Sequence, residues 1–164
     1  MHDITIKTIT EIAPAQLGVV MELMQQVPEF DQEPAYAELK QRLYDRKSLL
    51  MLCYVGEQIA GFQLGYSLDE TRYYCWLGGV LPGFRGLGLA QQMLIEQQQW
   101  AQQQGFKAIQ IKTCNRFKAL LRLLIKNDYQ IIDFTPVADD VSQHRLSLQK
   151  QLTETGEYQS TPAS

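Results

Sequence analysis

The sequence contains few of the residue types that build metal centres and covalent catalytic triads. Its 164 residues include two histidines, His2 and His144, and three widely separated cysteines, Cys53, Cys75 and Cys114. Neither histidine has a partner at zinc-ligand spacing, so we expect no metal site. A catalytic triad would have to use His144, on a segment with the pattern of an ordinary strand. An odd number of cysteines without a C-x-x-C pair favours a reducing, cytoplasmic location.

Long apolar runs and an excess of basic residues are absent as well. No run of about 18 apolar residues could span a bilayer, and the start MHDITIKTIT lacks the pattern of a signal peptide. With 15 Lys+Arg against 18 Asp+Glu the net charge is −3, which argues against nucleic acid as the main partner. Length and composition predict one globular domain over residues 1–152, followed by a small, polar tail over 153–164 that we expect to be flexible.

The hydrophobic pattern predicts alternating strands and helices. Strands are expected over 4–9, 49–55, 59–66, 73–80, 108–112, 129–134 and 145–148, and helices from Pro14, over 36–43, over 89–104 and over 116–126. Eight glutamines between Gln91 and Gln104 are expected to form the solvated face of the third helix. Helices and strands of this order predict a mixed α/β sheet.

The most informative segment runs from Gly78 to Ala90, where a strand gives way to a helix. Pro82 ends the strand, and three glycines separate it from the helix. The backbone N–H groups from Arg85 to Ala90 are therefore expected to point into one concavity at a helix N-terminus, which is a site for phosphate. Gly86 and Gly88 would let an anion approach the backbone closely, while the Arg85 side chain could add a charge or cap the turn.

Three phosphate-binding patterns can be compared with this segment. A P-loop needs Gly-Lys-Ser/Thr, whereas Gly88 is followed by Leu-Ala, and a dinucleotide fingerprint needs a third glycine and a later acidic residue that this sequence lacks. The remaining pattern is R-x-x-G-x-A over Arg85–Ala90, preceded by V-x-P at Val80 and Pro82. It resembles the central motif of the GNAT N-acetyltransferase superfamily, in which this loop holds the pyrophosphate of acetyl-CoA.

The resemblance extends over roughly residues 49–134 and implies a fold and an activity. The fold would be a single α/β (α+β) domain of GNAT type, with a mixed, mostly antiparallel sheet, helices on both faces and splayed central parallel strands. The activity would be direct transfer of the acetyl group from acetyl-CoA to an amine of a small molecule or protein, without a metal, and the protein could be a homodimer. A non-catalytic acyl-CoA-binding module and a transferase for another acyl group or acceptor remain open alternatives.

The resemblance also implies roles for individual residues. The N–H groups of Arg85, Gly86, Leu87, Gly88, Leu89 and Ala90 would hold the pyrophosphate, and Val80 would offer main-chain hydrogen bonds to the pantetheine arm. Asn115 resembles an asparagine that contacts the same arm, although it lies two residues further from Lys126 than is usual. A bulge is expected at Gly78-Gly79, since glycine inside a strand often marks one.

Two departures from the family concern the close of the last helix. Leu124 stands where the family often has a tyrosine that protonates the departing thiolate. A thiolate with a pKa near ~8.5 leaves tolerably without help, so the loss of a general acid would slow transfer by about 10²–10⁴-fold without abolishing it. Asp128 stands where the family usually has glycine, and Asp tolerates the left-handed backbone that the turn requires.

For the general base and the acceptor pocket, the sequence offers only candidate residues. Glu70 could act as a base through water, although a carboxylate in Asp-Glu-Thr is more commonly a solvated turn residue. One of Tyr73 and Tyr74 could line the thioester slot, and packing is the more frequent role. An acidic loop could attract a cationic acceptor or be a plain solvated loop; it contains Glu29, Asp31 and Glu33. A basic helix face could meet the 3′-phosphate of the cofactor or be an exposed stripe; it contains Lys118, Arg122 and Lys126.

Overall fold

The structure is a computed structural model that describes residues 3–30, 33–137 and 139–152. The predicted tail over 153–164 and Asp31 lie outside the described residues. Four α-helices, seven strands and two short 3-10 turns are described; in chain order they are β1 Ile4–Ile9, α1 Pro14–Gln25, α2 Tyr36–Leu43, β2 Ser48–Val55, β3 Gln58–Ser67, β4 Arg72–Val80, a 3-10 turn Pro82–Phe84, α3 Leu89–Gln103, β5 Ala108–Cys114, α4 Lys118–Lys126, β6 Gln130–Thr135, a 3-10 turn Val141–Gln143 and β7 Arg145–Gln151.

The chain divides into two compact units, of which the first comprises Met1–Ser67 and Cys75–Glu96. Its strands lie in the order β1-β2-β3-β4, and β2 pairs antiparallel with both β1 and β3. Side chains from one face of β2 and β3 share a buried core with α1 and α2, including Leu50, Leu64 and Leu39. On the opposite face, a Cβ atom at Gly61 would lie 3.1 Å from Cε of Met93 in α3. Helices therefore cover both faces of the sheet.

Strand β4 has an irregularity in its second half. Cys75 accepts a hydrogen bond from Gln63, while the ring of Trp76 contacts Tyr66. Leu77 belongs to the core beneath α1 and α2, and Trp76 packs against that core. Consecutive side chains of a regular strand point to opposite faces, so two neighbours on one face indicate an extra residue, which is a bulge. The bulge is at Trp76-Leu77, directly before the predicted glycine pair.

The second unit comprises Leu68–Tyr74 and Gln97–Ser164. The backbone just before β4 lies beside the start of β5, because Lys107 and Ala108 both donate to the carbonyl of Thr71. Beyond β5 the order is β7-β6, and both of these pairings are antiparallel. Tyr73 packs edge-on against Trp100 of α3 at 5.3 Å between ring centroids. The unit therefore holds the first residues of β4 against the second half of α3.

The predicted fold class is confirmed: the strands form a mixed sheet with helices on both faces. Asp128 has φ +70°, so the turn after α4 does adopt the left-handed backbone expected there. Gln97 departs from the predicted solvated face, because its side chain is buried. Within the described ranges, no helix is long and apolar enough to cross a membrane.

Candidate active site

The predicted phosphate loop begins where β4 leaves the sheet. The N–H of Leu81 donates to the carbonyl of Ala60 at 2.8 Å, a hydrogen bond that ties the end of β4 to β3. Leu81 is buried, and Pro82 then starts a 3-10 turn that is closed by a hydrogen bond from the N–H of Phe84 to the carbonyl of Leu81. The chain after β4 is thus held by a buried, hydrogen-bonded residue, and the exposed residues 85–88 follow.

Two glycines give this loop its backbone shape. Gly86 has φ +84° and Gly88 has φ +78°, values in the left-handed region that L-residues disfavour. A Cβ atom at either position would meet no other atom within 4 Å, so the backbone conformation, and not crowding, requires glycine. The side of the loop on which a Cβ atom would stand is open.

Helix α3 starts directly after the second glycine. Its first hydrogen bond runs from the N–H of Gln92 to the carbonyl of Gly88 at 3.1 Å. The N–H groups of Leu89 and Ala90 belong to the first turn of the helix, where donors have no carbonyl of a preceding turn. They point along the axis at the positive end of the helix dipole. A helix N-terminus of this kind is suited to an anion, and binding of the pyrophosphate by these residues stays a prediction.

The side chain of Arg85 turns back toward the end of β4. Its Nε donates to the carbonyl oxygen of Val80 at 3.2 Å, and its Nη2 lies 2.7 Å from Oε1 of Glu29. Both side chains are slightly over two-fifths exposed. Of the two roles that the sequence left open for Arg85, the structure therefore shows capping of the strand end.

Glu29 is held in place by contacts on either side of it. A Cβ atom at Gly79 would lie 3.0 Å from Cγ1 of Val27, so the segment after α1 packs directly on the backbone of β4. Phe30 stacks on Phe62 with 6.2 Å between ring centroids. Of the acidic residues predicted for this loop, Glu29 thus has an ion-pair partner and Glu33 is exposed.

A cavity of about 710 Å³ adjoins the loop within the first unit. Its walls are the loop itself and the turn between β2 and β3, and it is lined by Asp3, Val55, Gly56, Gln58, Gly83, Phe84, Arg85 and Leu87. The volume is in the range typical of small-molecule sites.

Asn115 lies in the second unit, where it holds the turn before β7. Its Nδ2 donates to the carbonyl of Val141 at 3.0 Å, and its backbone N–H donates to the carbonyl of His144 at 3.1 Å. Hydrogen bonds from the side chain and backbone of Ser142 lower the pKa of Asp140 in the same turn. The described partner of the Asn115 amide is thus this turn, and its contact with pantetheine stays a prediction.

The turn before β4 contains Glu70, the candidate general base. Asp69 organises the turn by accepting hydrogen bonds from the backbone N–H groups of Thr71 and Arg72 at 2.9 and 2.8 Å and from Nε of Arg72 at 2.8 Å. The Thr71 backbone bond, followed by Arg72, lowers the pKa of Asp69 to about 2. Glu70 is exposed and precedes the first residue of β4, whereas Val80 is its last. Its role as a base stays a prediction.

The remaining predicted positions lie in the second unit. Leu124 is fully buried, and its hydrocarbon side chain has no proton to donate. Tyr73 is buried against Trp100 and Phe106, whereas Tyr74 is partly exposed and the amino group of Lys112 lies 5.8 Å from its ring centroid. The basic residues of α4 are all exposed; they are Lys118, Arg122 and Lys126.

Comparison with known proteins gives the same family as the sequence motif in the β4–α3 loop. The sequence profile of the Acetyltransferase (GNAT) family matches residues 17–124. The chain belongs to the GNAT family of acetyltransferases. The match includes the β4–α3 loop and both halves of α3, and it establishes the protein as an acyltransferase of the acetyl-CoA-dependent class.

Solved structures share the fold of this GNAT protein at low sequence identity. Ard1 from Thermoplasma volcanium is 17% identical with a TM-score of 0.76, covering 92% of this chain and 99% of its own. The ribosomal-protein-S18-alanine N-acetyltransferase from Escherichia coli is 13% identical with a TM-score of 0.77, covering 97% and 100%. A GNAT family acetyltransferase from Elizabethkingia anophelis with acetyl-CoA bound is 20% identical with a TM-score of 0.67, covering 91% and 98%. No curated protein matches the sequence significantly.

The structure also shows how the possible metal ligands and the cysteines are placed. In the ranges 3–30, 33–137 and 139–152, no three His, Cys, Asp or Glu side chains are grouped in a way that could hold a metal ion. Cys53, Cys75 and Cys114 are buried, and none of them forms a disulfide.

Proposed function

We propose that this GNAT enzyme transfers the acetyl group of acetyl-CoA directly to an amine. The observation that supports the proposal is the loop between β4 and α3, where two left-handed glycines precede an exposed helix N-terminus. Backbone donors at such a terminus stabilise a doubly charged pyrophosphate without a basic side chain. A chain with a net charge of −3 has particular need of a local site for an anionic substrate.

In the proposed complex, the backbone N–H groups from Arg85 to Ala90 bind the pyrophosphate. Arg85 keeps the loop in position through its bonds to Val80 and Glu29. The pantetheine arm runs back along β4 from Val80 and pairs with its main chain as an added strand would.

The amine attacks the thioester carbonyl, and a backbone N–H of β4 near Val80 stabilises the oxyanion that forms. The carbon–sulfur bond then breaks, the acetyl group stays on the nitrogen, and coenzyme A leaves as a thiolate. Leu124 cannot protonate that thiolate, so we propose that it departs unprotonated, as its pKa of about 8.5 allows. The transfer needs no acyl-enzyme.

The base that removes the proton from the attacking amine is proposed to be Glu70, acting through water. A Glu70→Gln variant tests this proposal directly, because it removes the titrating group and keeps the shape of the turn. We expect the acidic limb of the pH–rate profile to change in this variant. An unaltered profile would dismiss Glu70 and leave deprotonation to solvent.

The activity is tested by following release of the coenzyme A thiol from acetyl-CoA with a panel of amines. Amine-dependent release with formation of the N-acetyl product is expected. Tight acetyl-CoA binding without turnover on any acceptor would instead favour the acyl-CoA-binding module, and faster transfer from a longer acyl-CoA would favour a different donor. We also propose a cytoplasmic location, which the three buried thiols without a disulfide support.

A further inference from the structure

A second cavity in the first unit lies at the end of the sheet away from the phosphate loop. It has a volume of about 280 Å³ and is lined by Thr10, Ile12, Leu17, Lys40, Leu43, Tyr44, Arg46 and Ser48. Strand β1 ends and β2 begins here, whereas Asp3 and Val55, at the other ends, line the cavity beside the loop. The paired residues run from Ile4 with Val55 to Ile9 with Leu50, which is about 17 Å at roughly 3.3 Å per residue. The two cavities are therefore separate.

Three of the more buried side chains that line this cavity are apolar, and an aromatic ring stands at its edge. Leu17 is buried, and Ile12 and Leu43 pack against the core beneath α1 and α2. Tyr44 follows the last residue of α2 and is 79% exposed, so its ring contributes little to the stability of the fold. A ring in this position is available to cover the apolar part of a small ligand.

Two cations line the same cavity, and neither is neutralised by a neighbouring carboxylate. Within residues 3–30, 33–137 and 139–152, no Asp or Glu oxygen lies within 4.0 Å of the Lys40 ammonium or the Arg46 guanidinium. Arg46 is held by stacking, with its Cζ 4.9 Å from the ring centroid of Tyr66. None of the lining residues named above is acidic. The two charges therefore attract an anion into the cavity.

The charge around this cavity contrasts with the charge of the whole chain. Residues 40–47 contain four basic residues and one acidic residue, although the chain has a net charge of −3. Basic residues in the last turn of a helix offset its dipole, and Lys40 has that position in α2. This role does not explain Arg46, which lies beyond the end of the helix, or the exposed ring of Tyr44.

We propose that this cavity binds a small organic anion that has an apolar body. The anionic group, a carboxylate or a phosphate monoester, lies between Lys40 and Arg46, whose planar guanidinium donates two parallel hydrogen bonds. The apolar body lies against the apolar side chains of the cavity and the Tyr44 ring. The volume is slightly below the ~300 Å³ at which drug-sized ligands begin to fit, so we expect a ligand about the size of benzoate. The site is additional to the proposed acetyl transfer.

Ligand-observed NMR titration with benzoate, phenyl phosphate, acetate and benzamide tests this ligand class. Benzoate or phenyl phosphate should bind with a Kd of about 1 mM or tighter, and the tighter of the two identifies the anionic group. Benzamide lacks the charge and acetate lacks the ring, so each should bind at least about tenfold more weakly. Benzamide or acetate binding as tightly as benzoate would overturn the inference, as would a Kd weaker than about 10 mM for both anionic probes.

Lys40→Gln and Arg46→Gln test whether the two cations hold the anion. Each should weaken binding of the tighter probe by about tenfold, as expected for the loss of a hydrogen bond from a charged group. Lys47→Gln is the matched control, because it removes the same charge from an adjacent, exposed position outside the cavity lining. It should leave the Kd within about twofold of wild type. Equal effects of Lys47→Gln and Arg46→Gln would show only a general attraction of anions and would overturn the site.

Two further points keep the inference testable if a variant or the activity fails. If Arg46→Gln does not fold because the stacking on Tyr66 is lost, Lys40→Gln decides, since Lys40 is exposed. Saturating acetyl-CoA should leave the Kd of the probe unchanged, whereas competition would place the probe at the acetyl-CoA site and overturn the inference. None of these measurements requires turnover, so a protein without acetyltransferase activity tests the site equally well.

Discussion

Replacing Gly88 by alanine tests the phosphate loop with a single methyl group. Gly88 has φ +78°, and placing an L-residue in this left-handed region costs about 1–2 kcal/mol. The methyl group itself would meet no protein atom within 4 Å, so steric crowding within the protein adds nothing to this cost.

The cost of the left-handed backbone in Gly88→Ala should lower either the free energy of unfolding or the affinity for acetyl-CoA, depending on whether the exposed loop keeps its conformation. If Gly88→Ala keeps the left-handed backbone, the free energy of unfolding falls by about 1–2 kcal/mol, which lowers Tm by roughly 2–8 °C in a chain of this size. If the loop relaxes instead, acetyl-CoA must restore the strained conformation when it binds. Affinity should then fall by about 5–30-fold.

Gly105 provides the control at an equally strained position outside the loop. It has φ +92°, and a Cβ atom there also meets nothing within 4 Å. It ends α3, where the N–H of Phe106 donates to the carbonyl of Ala101 at 3.0 Å, as in the usual left-handed C-terminal cap. Gly105→Ala should therefore lose stability without losing affinity for acetyl-CoA.

Calorimetric titration with acetyl-CoA and thermal unfolding of both variants give the required comparison. The expected result for Gly88→Ala is a lower Tm with little change in Kd if the loop keeps its left-handed backbone, or a weaker Kd if the loop relaxes. A Tm like that of wild type together with a Kd within twofold of wild type would show that the loop relaxes at no cost to binding, and would refute the assignment of this loop to the pyrophosphate.

Two further predictions concern charged groups. Glu29→Gln removes the ion pair with Arg85, and an ion pair this exposed contributes about 1 kcal/mol or less to the free energy of unfolding. We expect the Tm of the variant to fall by at most about 4 °C and its difference from wild type to shrink in 1 M salt. A difference in Tm that does not depend on salt would contradict an electrostatic role. For Asp69, hydrogen bonds lower the folded pKa from 3.8 to about 2, so its carboxylate stabilises the fold above pH 3.8 and this contribution is lost as the pH falls toward 2. Denaturation of wild type and Asp69→Asn at a series of pH values should therefore show a difference near neutrality that narrows over that interval, and a constant difference would exclude the carboxylate as its source.

The features that could be predicted from the sequence are those that short-range signals determine. Pro82 and the following glycines marked the end of β4 and the start of α3, because proline and glycine restrict or free the backbone where they stand. The left-handed turn at Asp128 could be expected because the resembling family has a glycine at this position and Asp tolerates the same backbone. The bulge was expected at the glycine pair and lies at the two residues directly before it, since the packing of Trp76 and Leu77 also determines its place.

Contacts between distant parts of the chain could not be predicted in this way. Glu29 and Arg85 are 56 residues apart, and no local pattern joins them. Arg42 meets Trp76 only after α2 has packed on the sheet. Gln97 is 1% exposed, and neither of its amide atoms has a hydrogen-bond partner among the described residues. Its polar amide favoured solvent, but position 97 lies on the same face of α3 as the buried Met93 and Ala101, so the packing of that face places it inside.

The burial of Leu124 leads to a prediction about the pH dependence of the reaction. A tyrosine that protonates the leaving thiolate must itself be protonated, and with a pKa near ~10 it would produce a falling limb in kcat at alkaline pH. Leu124 is fully buried and has no titrating group, so this position cannot produce such a limb. We expect kcat, measured with saturating acceptor, to rise as the amine loses its proton and then to stay level up to about pH 10. A falling limb below that pH in the folded enzyme would show that another group protonates the thiolate.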